Sequence, residues 1–195
     1  DQRDVLEMLR NVIGSGKRAS KIVKDMLTFA RKGNLQAVST TLPDLLDTTV
    51  DLAENDYKLK KEYDFRKIEI RREYQSDLPA IKCEIPKIQQ VIFNILRNGA
   101  EAMHGSDKPQ FTLRAKSSDN SHVQIEIEDN GPGIPVEVKS HLFEPFYTTK
   151  DIGKGTGLGL SVSYFIVTEG HGGEMMVESE PGRGACFIIR LPLEL

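Results

Sequence analysis

The chain has 195 residues, of which 38% are hydrophobic and 28% charged, and its formal net charge is -3. This composition is typical of a globular protein with one good-sized domain, or one domain plus an appendage. A surface for non-specific nucleic-acid binding is excluded, because it would need an excess of positive charge. A disulfide framework or a cysteine metal site is also excluded, because Cys83 and Cys186 lie far apart and stand alone.

The first 34 residues predict one long amphipathic helix. Apolar residues recur at intervals of three and four over residues 5–30, as on one face of a helix. The pattern is interrupted at Gly14-Ser15-Gly16 and ends in "RKGN", where Gly33 suits a C-cap. A helix of this length with a narrow apolar stripe is typical of one half of a helical pair. Because the sequence starts inside this pattern without Met, we expect it to be a piece of a longer protein.

The rest of the chain alternates between helical and strand patterns. Helices are predicted at 42–55, 85–103 and 160–168, and strands at 67–74, 110–116, 122–129, 174–180 and 185–193. The last two strands form a hairpin through "PGRG", and residues 129–159 are rich in Gly and Pro, with at most short helical pieces. The predicted fold class is α+β, a two-layer sandwich with a mixed sheet covered on one face by helices.

Two phosphate-binding motifs are approached but not matched. "GSGKRAS" at 14–20 lacks the upstream glycine of a P-loop, and Arg18 stands where Ser or Thr is needed. The dinucleotide fingerprint fails at Gly153 and Gly155, because its third glycine falls on leucine in both registers. Neither a P-loop nor a Rossmann site is therefore expected.

A first candidate segment is "NILRNGAEA" at 94–102 on the predicted second helix. Asn94 and Asn98 are four residues apart and share one face. Their amide groups offer oxygen to a hard cation such as Mg²⁺ and NH₂ to a phosphate. Taken alone, the same pair is explained by two solvated or capping asparagines.

A second candidate segment is "DNGPGI" at 129–134. Asp129 continues the alternation of Val123, Ile125 and Ile127, so its carboxylate is expected on the buried face of the strand. A buried carboxylate needs a strong donor, and the exocyclic amino group of an adenine would be one. An Asp-Asn-Gly turn at the end of a strand is the alternative.

The third candidate segment is "GTGLGL" at 155–160, directly before a predicted helix. Free N–H groups at a helix N-terminus, together with the helix dipole, attract anions. A mobile loop without a ligand would show the same glycines.

The three segments, in this order and spacing, resemble the N, G1 and G2 boxes of sensor histidine kinases. "LFEPFYTTK" at 142–150, with Phe143 and Phe146, resembles their F box, and "RASKIVKDMLTFAR" at 18–31 resembles the second helix of their dimerisation domain. The similarity continues through "IPKIQQVIFNILRNGAEAM" and "HGGEMMVESEPGRGACFIIRLPL", so it covers practically the whole chain.

The resemblance implies a domain division and a nucleotide site. Residues 1–34 would be the second helix of a dimerisation and phosphotransfer hairpin, and residues 35–195 a Bergerat-type ATP-binding domain. Asp129 would hold the adenine amino group, Asn98 would bind Mg²⁺, and Asn94 would lie beside the phosphates. Lys150 would either reach a phosphate or be a solvated lysine of the lid. The other implied ATP-binding residues are Glu101, Gly131, Gly133, Ile134, Phe143, Thr149, Gly155, Thr156, Gly157, Leu158, Gly159 and Leu160.

The residue at position 94 bears on the reaction. ATP-hydrolysing members of the superfamily place a Glu four residues before the metal-binding Asn, whereas this chain has Asn94, which cannot act as a general base. The resemblance therefore favours a kinase, which leaves the γ-phosphate for another nucleophile.

The phosphoacceptor histidine of the family is not recognised in the sequence. His104, His122, His141 and His171 do not stand in the His-Glu…Asn-Pro setting of an H box, and His171 in "EGHGGE" is interpreted as a turn residue. We expect the acceptor to lie on an upstream helix. A second departure is Ala185-Cys186, where relatives often carry Thr, and it predicts weaker or differently hydrated adenine contacts.

The implied partners are a second copy, through the helical hairpin, and the receiver domain of a response regulator, without nucleic acid. The catalytic part is expected in the cytoplasm, and contact with a membrane is left open. Two alternatives remain: a serine/threonine protein kinase on the same fold, and a degenerate nucleotide-binding module that regulates a partner.

Overall fold

A computed structural model describes residues 36–150 and 155–194, together with positions 5, 8, 9, 12–14, 16 and 20 of the N-terminal segment. These N-terminal positions are helical, including Gly14 and Gly16, where the sequence predicts an interruption. The predicted helix end at Gly33 lies outside the described residues. The apolar side chains described at these positions, Val5, Met8, Leu9, Val12 and Ile13, are 52–69% exposed.

A five-stranded mixed sheet forms the centre of the domain. Its order is β2-β4-β5-β7-β6, with β2 and β4 parallel and the other neighbours antiparallel. A separate antiparallel pair joins β1 and β3. The strands are β1 (Val38–Thr40), β2 (Glu69–Tyr74), β3 (Ile81–Cys83), β4 (Gln110–Ser117), β5 (His122–Asp129), β6 (Glu174–Ser179) and β7 (Ala185–Pro192).

The helices pack on one another and on the sheet. They are α1 (Leu42–Asn55), α2 (Tyr57–Glu62), α3 (Ile85–Ala102), α4 (Val136–Lys139) and α5 (Gly159–His171), with a 3-10 turn at Phe65–Lys67. Thr41 caps α1 by accepting a hydrogen bond from the N–H of Asp44, and Pro43 stands in its first turn. No helix in the described part of the chain is both long and apolar enough to cross a bilayer.

The core lies between the helices and one face of the sheet. Every second residue of β5 is buried, as the alternating sequence predicts, and these side chains share one hydrophobic core with buried residues of α1, α3 and α5. The opposite face carries charged side chains such as Arg114, which is ion-paired with Glu73 and Glu128. The fold class is therefore confirmed: α+β, with a mixed sheet and helices on one face.

Most predicted elements are found within one or two residues of their expected ends, but short ones were missed. The three-residue strands β1 and β3 and the six-residue helix α2 were not predicted. The last helix begins one residue earlier than predicted and continues to His171.

Candidate functional site

Helix α3 presents a polar face toward α5. Asn94 is 9% exposed, whereas Asn98 and Glu101 are half-buried. Residues at intervals of four and three share a helix face, and the apolar stripe beside them is buried in the core. The amphipathic spacing of α3 therefore fixes all three polar groups in one row.

The side chain of Asn94 ties α3 to the start of α5. Its Nδ2 donates to the carbonyl oxygen of Gly159 at 3.3 Å and to Oγ of Ser163 at 3.2 Å. Its Oδ1 accepts from Nη2 of Arg97 at 3.4 Å. Because both amide hydrogens are donated within the protein, Asn94 has a structural role here: it connects α3 to α5.

Asp129 ends β5 with its side chain on the buried face, as the alternation predicts. It is 6% exposed, and Oδ1 accepts from the N–H of Gly131 at 2.9 Å. Burial raises the pKa of Asp129 above its usual range, although the N–H groups of Gly131 and Ala185 oppose this. A carboxylate has about four acceptor positions, so capacity remains for a further donor.

Helix α3 lies against Asp129 because position 99 has no side chain. A Cβ on Gly99 would lie 2.6 Å from the ring of Phe111 and 3.3 Å from Cβ of Asp129. Any larger residue would push the helix away from the strand end. The first and second predicted segments are therefore brought together in space.

The loop after Asp129 is pinned to the β6–β7 turn. The N–H of Ile134 donates to Oγ of Ser179 at 2.8 Å. Gly133 has a φ of +74°, and a Cβ there would collide with the carbonyl oxygen of Glu180. A Cβ on Gly131 would lie 2.8 Å from Oδ1 of Asp129, so glycine keeps the neighbourhood of the carboxylate open.

The third predicted segment starts α5 without a side-chain cap. Gly159 is the first helical residue, and Leu158, 1% exposed, precedes it as an N-cap that makes no capping hydrogen bond. Oγ1 of Thr156 accepts from the N–H of Leu158 at 3.4 Å. Among the described residues, no side chain of the N-cap position caps the first turn of α5, and such a helix start suits an anion.

The loop of residues 142–150 packs on α5 and on the glycine segment. The ring of Phe143 lies 5.1 Å from that of Tyr164. The N–H of Phe146 donates to the carbonyl oxygen of Gly157 at 3.0 Å, and Gly157, with a φ of +65°, has no room for a Cβ there. Ile134 and Leu160 pack against the core, whereas Thr149 is exposed.

Lys150 reaches α3 from the end of this loop. Its Nζ lies 2.7 Å from Oε2 of Glu101 and 3.5 Å from Oδ1 of Asn98. Its aliphatic part lies beside Gly155, where a Cβ would approach Cδ of Lys150 to 3.2 Å. Lys150 is thus ion-paired with Glu101, and the side-chain oxygen of Asn98 faces the ammonium group of Lys150.

Three side chains near the site were not singled out from the sequence. Arg97 follows Asn94 by three residues, so helical spacing was a usable signal. Ser163 and Tyr63 come from other elements: Ser163 holds Asn94, and Tyr63 lies close to the charge of Glu101. Burial, followed by the charge of Glu101, raises the pKa of Tyr63.

The interpretation of His171 as a turn residue was wrong. His171 is the last residue of α5 and is 2% exposed. Its Nε2 accepts from the N–H of Glu84 at 3.1 Å, so Nδ1 carries the proton and donates to the carbonyl oxygen of Ile166 at 2.8 Å. A neutral histidine therefore fastens the end of α5 to the residue that precedes α3.

The arrangement fits a nucleotide and its metal ion. Asp129 is a buried acceptor with spare capacity, suited to an amino group on a flat ring. The uncapped start of α5 suits phosphate, and Asn98 presents an oxygen atom of the kind that Mg²⁺ prefers. These groups lie on α3, β5 and α5, which the core holds in place.

Comparison with known proteins identifies the family of this chain. The family described as "Histidine kinase-, DNA gyrase B-, and HSP90-like ATPase" matches residues 83–195. Sporulation kinase E of Bacillus subtilis (strain 168) is 37% identical over 184 residues, 94% of this chain and 23% of that protein. Sensor kinase CckA of Brucella abortus (strain 2308) is 34% identical over 198 residues, 94% of this chain and 20% of that protein. The chain therefore spans about a fifth of the length of these relatives.

Solved structures show the same fold. Full-length ShkA in complex with AMPPNP superposes with a TM-score of 0.73 and 26% identity, over 91% of this chain and 36% of that one. Histidine kinase ThkA in complex with the response regulator TrrA gives 0.71 and 24%, over 93% and 49%. The chain belongs to the family of histidine kinase-, DNA gyrase B- and HSP90-like ATPases, and it corresponds to the ATP-binding catalytic domain of sensor histidine kinases.

Proposed function

We propose that the parent protein of this chain is a sensor histidine kinase, in which the site on α3, β5 and α5 binds ATP with Mg²⁺ and donates the γ-phosphate to a histidine. The observation that carries the proposal is the placement of buried Asp129 beside α3, the helix whose Asn94 contacts the start of α5. The relatives of this chain carry the names of sensor and sporulation kinases.

Each group has a separate task in this proposal. Asp129 accepts a hydrogen bond from the adenine amino group, and Gly131 and Gly133 let the ring approach the backbone. The N–H groups at the start of α5 bind phosphate oxygens. Asn98 holds Mg²⁺, which supplies neutralisation of phosphate charge.

The side chains around the phosphates favour transfer to another group over hydrolysis. Asn94 is neutral and uses both amide hydrogens on Gly159 and Ser163. A general base must take a proton from water, and the neutral amide of Asn94 does not do so.

The phosphoacceptor is proposed to lie outside this sequence. His171 is buried, with both ring nitrogens in hydrogen bonds. His141 and His122 contact Glu144 and Asp119 in exposed segments. An upstream helix of the dimerisation hairpin would present the acceptor, and the apolar residues of the N-terminal helix, 52–69% exposed, would pair with it and with a second copy.

The same proposal gives the partners and the place of action. The phosphoryl group would pass from histidine to an aspartate of a response regulator, the kind of protein with which ThkA was solved in complex. We propose that this part of the protein works in the cytoplasm, where ATP is available.

The proposal is tested with the parent protein and radiolabelled ATP. Label should appear on a histidine, so that it is lost in acid and survives alkali, and Asp129→Asn should abolish it. Acid-stable label would instead establish a serine/threonine kinase. ATP binding without any labelled protein would establish the regulatory module.

A further inference from the structure

Lys150 connects the loop of residues 142–150 to α3. One of its contacts is Asn98, the residue to which the metal ion is assigned. Nζ of Lys150 lies 2.7 Å from Oε2 of Glu101 and 3.5 Å from Oδ1 of Asn98. Lys150 comes from the loop of residues 142–150, and the other two come from α3. The pair is about one-third exposed on each side, 33% for Lys150 and 30% for Glu101.

Both partners of the bridge are held in position by other contacts. The N–H of Lys150 donates to Oγ1 of Thr148 at 3.2 Å, and its side-chain carbons lie against the backbone of Gly155. Glu101 is held on helix α3, close to Tyr63. The ammonium group therefore lies in a built position between an amide oxygen and a carboxylate.

Amide and carboxylate oxygens are also the ligands that Mg²⁺ prefers. An ammonium group and a divalent ion on the same amide oxygen would repel each other strongly at a separation of a few ångströms. Occupation of Asn98 by the metal ion therefore requires Lys150 to leave. The nearest strong anions for Lys150 would then be the phosphates that arrive with the metal.

We propose that Lys150 is a tethered cation that holds Asn98 and Glu101 in the nucleotide-free protein and moves to the phosphates when nucleotide and Mg²⁺ bind. This proposal rests on the proposed function, since it assigns a task to residues of the same site. Glu101 is a positioning residue in this scheme, because it acts on the nucleotide only through Lys150.

The proposed exchange predicts the direction of a change in ATP affinity that a purely structural ion pair would not produce. Glu101 competes with the phosphates for Lys150, so Glu101→Gln should release the ammonium group and tighten the binding of ATP in the absence of metal. Partly exposed ion pairs are modest in strength, so the expected decrease in the Kd for ATP is about two- to fivefold. Lys150→Met should weaken the same binding and should strengthen binding of Mg²⁺ alone, because Asn98 and Glu101 are then free.

The experiment measures ATP binding in EDTA by calorimetry for the unsubstituted chain, Glu101→Gln, Lys150→Met and the double variant. The double variant should bind like Lys150→Met, since Glu101 has no effect once Lys150 is gone. Stabilisation by Mg²⁺ without nucleotide, measured as a shift in Tm, is the second readout. Lys82→Met is the matched control, because Lys82 forms an ion pair of 2.8 Å with Glu194 at the surface, and it should change neither readout.

Weaker or unchanged metal-free binding in Glu101→Gln would overturn the proposal, as would additive effects in the double variant. For Lys150→Met, the Tm shift caused by Mg²⁺ is measured as well as ATP binding. A folding defect would lower both, whereas the proposal predicts that ATP binding weakens and Mg²⁺ stabilisation increases. A failure of the proposed function looks different: the unsubstituted chain would then bind no ATP, with or without Mg²⁺.

Discussion

Nδ2 of Asn94 lies 3.2 Å from Oγ of Ser163, and this contact joins the metal-side face of α3 to the helix whose start is proposed to bind phosphate. The same nitrogen donates to the carbonyl oxygen of Gly159, the first residue of α5. The position at which hydrolysing relatives carry Glu is therefore a donor position here. The neutral amide of Asn94 therefore holds α3 against α5, and it also leaves this position without a general base.

Asn94→Asp should destabilise the protein by about 2–4 kcal/mol, because it removes both donated hydrogen bonds and leaves a carboxylate facing a carbonyl oxygen. Urea denaturation measures the loss. Asn55→Asp is the control, since Asn55 makes one exposed bond to Asp51, and it should cost well under 1 kcal/mol. Equal losses for the two variants would contradict the role given to Asn94.

Asp129 predicts a dependence of stability on pH. Burial raises its pKa above the ordinary value of 3.8 in the folded protein, so the unfolded chain ionises first. A group with a raised folded pKa stabilises the fold below its unfolded pKa, and this contribution is lost as the pH rises through the folded pKa. The carboxylate therefore destabilises the nucleotide-free fold near neutral pH.

Asp129→Asn should consequently gain in Tm relative to the unsubstituted chain as the pH rises from about 4 to 7. Thermal unfolding at several pH values measures this difference. Asn130→Ala, a change at the neighbouring exposed residue, removes no titratable group, so its difference in Tm should stay constant over the same range. A difference that shrinks with rising pH would mean that the carboxylate is stabilised, and not penalised, in the fold.

Gly133→Ala should lower stability more than Gly182→Ala, by about 1–3 kcal/mol. Both glycines have a positive φ, but a Cβ at Gly133 meets the carbonyl oxygen of Glu180, whereas nothing lies within 4 Å at Gly182. The comparison separates steric collision from backbone strain. Chemical denaturation of the two variants measures the difference. Equal losses of stability would show that the loop after Asp129 is not held against the β6–β7 turn.

His171→Ala should cost about 2–3 kcal/mol, since it removes two hydrogen bonds and leaves a cavity at the end of α5. His141→Ala is the control, because His141 is exposed and contacts only Glu144 among the hydrogen-bond partners described for it. Denaturation midpoints compare the two. A small effect at His171 would contradict its role as a fastener between α5 and the start of α3.

Local patterns predicted most of the sheet and the main helices. The strict alternation of β5 gave both its ends and the burial of Asp129, and the apolar stripe of α3 gave the shared face of Asn94 and Asn98. Strands β1 and β3 were missed because three residues are too few to show a period of two. They form by pairing with each other across 40 residues of chain.

Tertiary contacts account for the other differences. "GHGG" has the composition of a turn, yet His171 stays in the helix because the N–H of Glu84, far away in sequence, binds its ring. The positions of Tyr63 and Ser163 beside the site depend on how their helices pack against α3. No local signal in the sequence marks them.

The central claim is that this chain binds ATP through Asp129, and calorimetric titration with ATP and Mg²⁺ tests it most directly. The unsubstituted chain should bind one nucleotide per chain. Asp129→Asn should weaken binding by at least about tenfold, the usual effect of losing a hydrogen bond to a charged group, while Glu128→Gln should leave it unchanged. Absence of binding, or equal affinity in Asp129→Asn, would contradict the account.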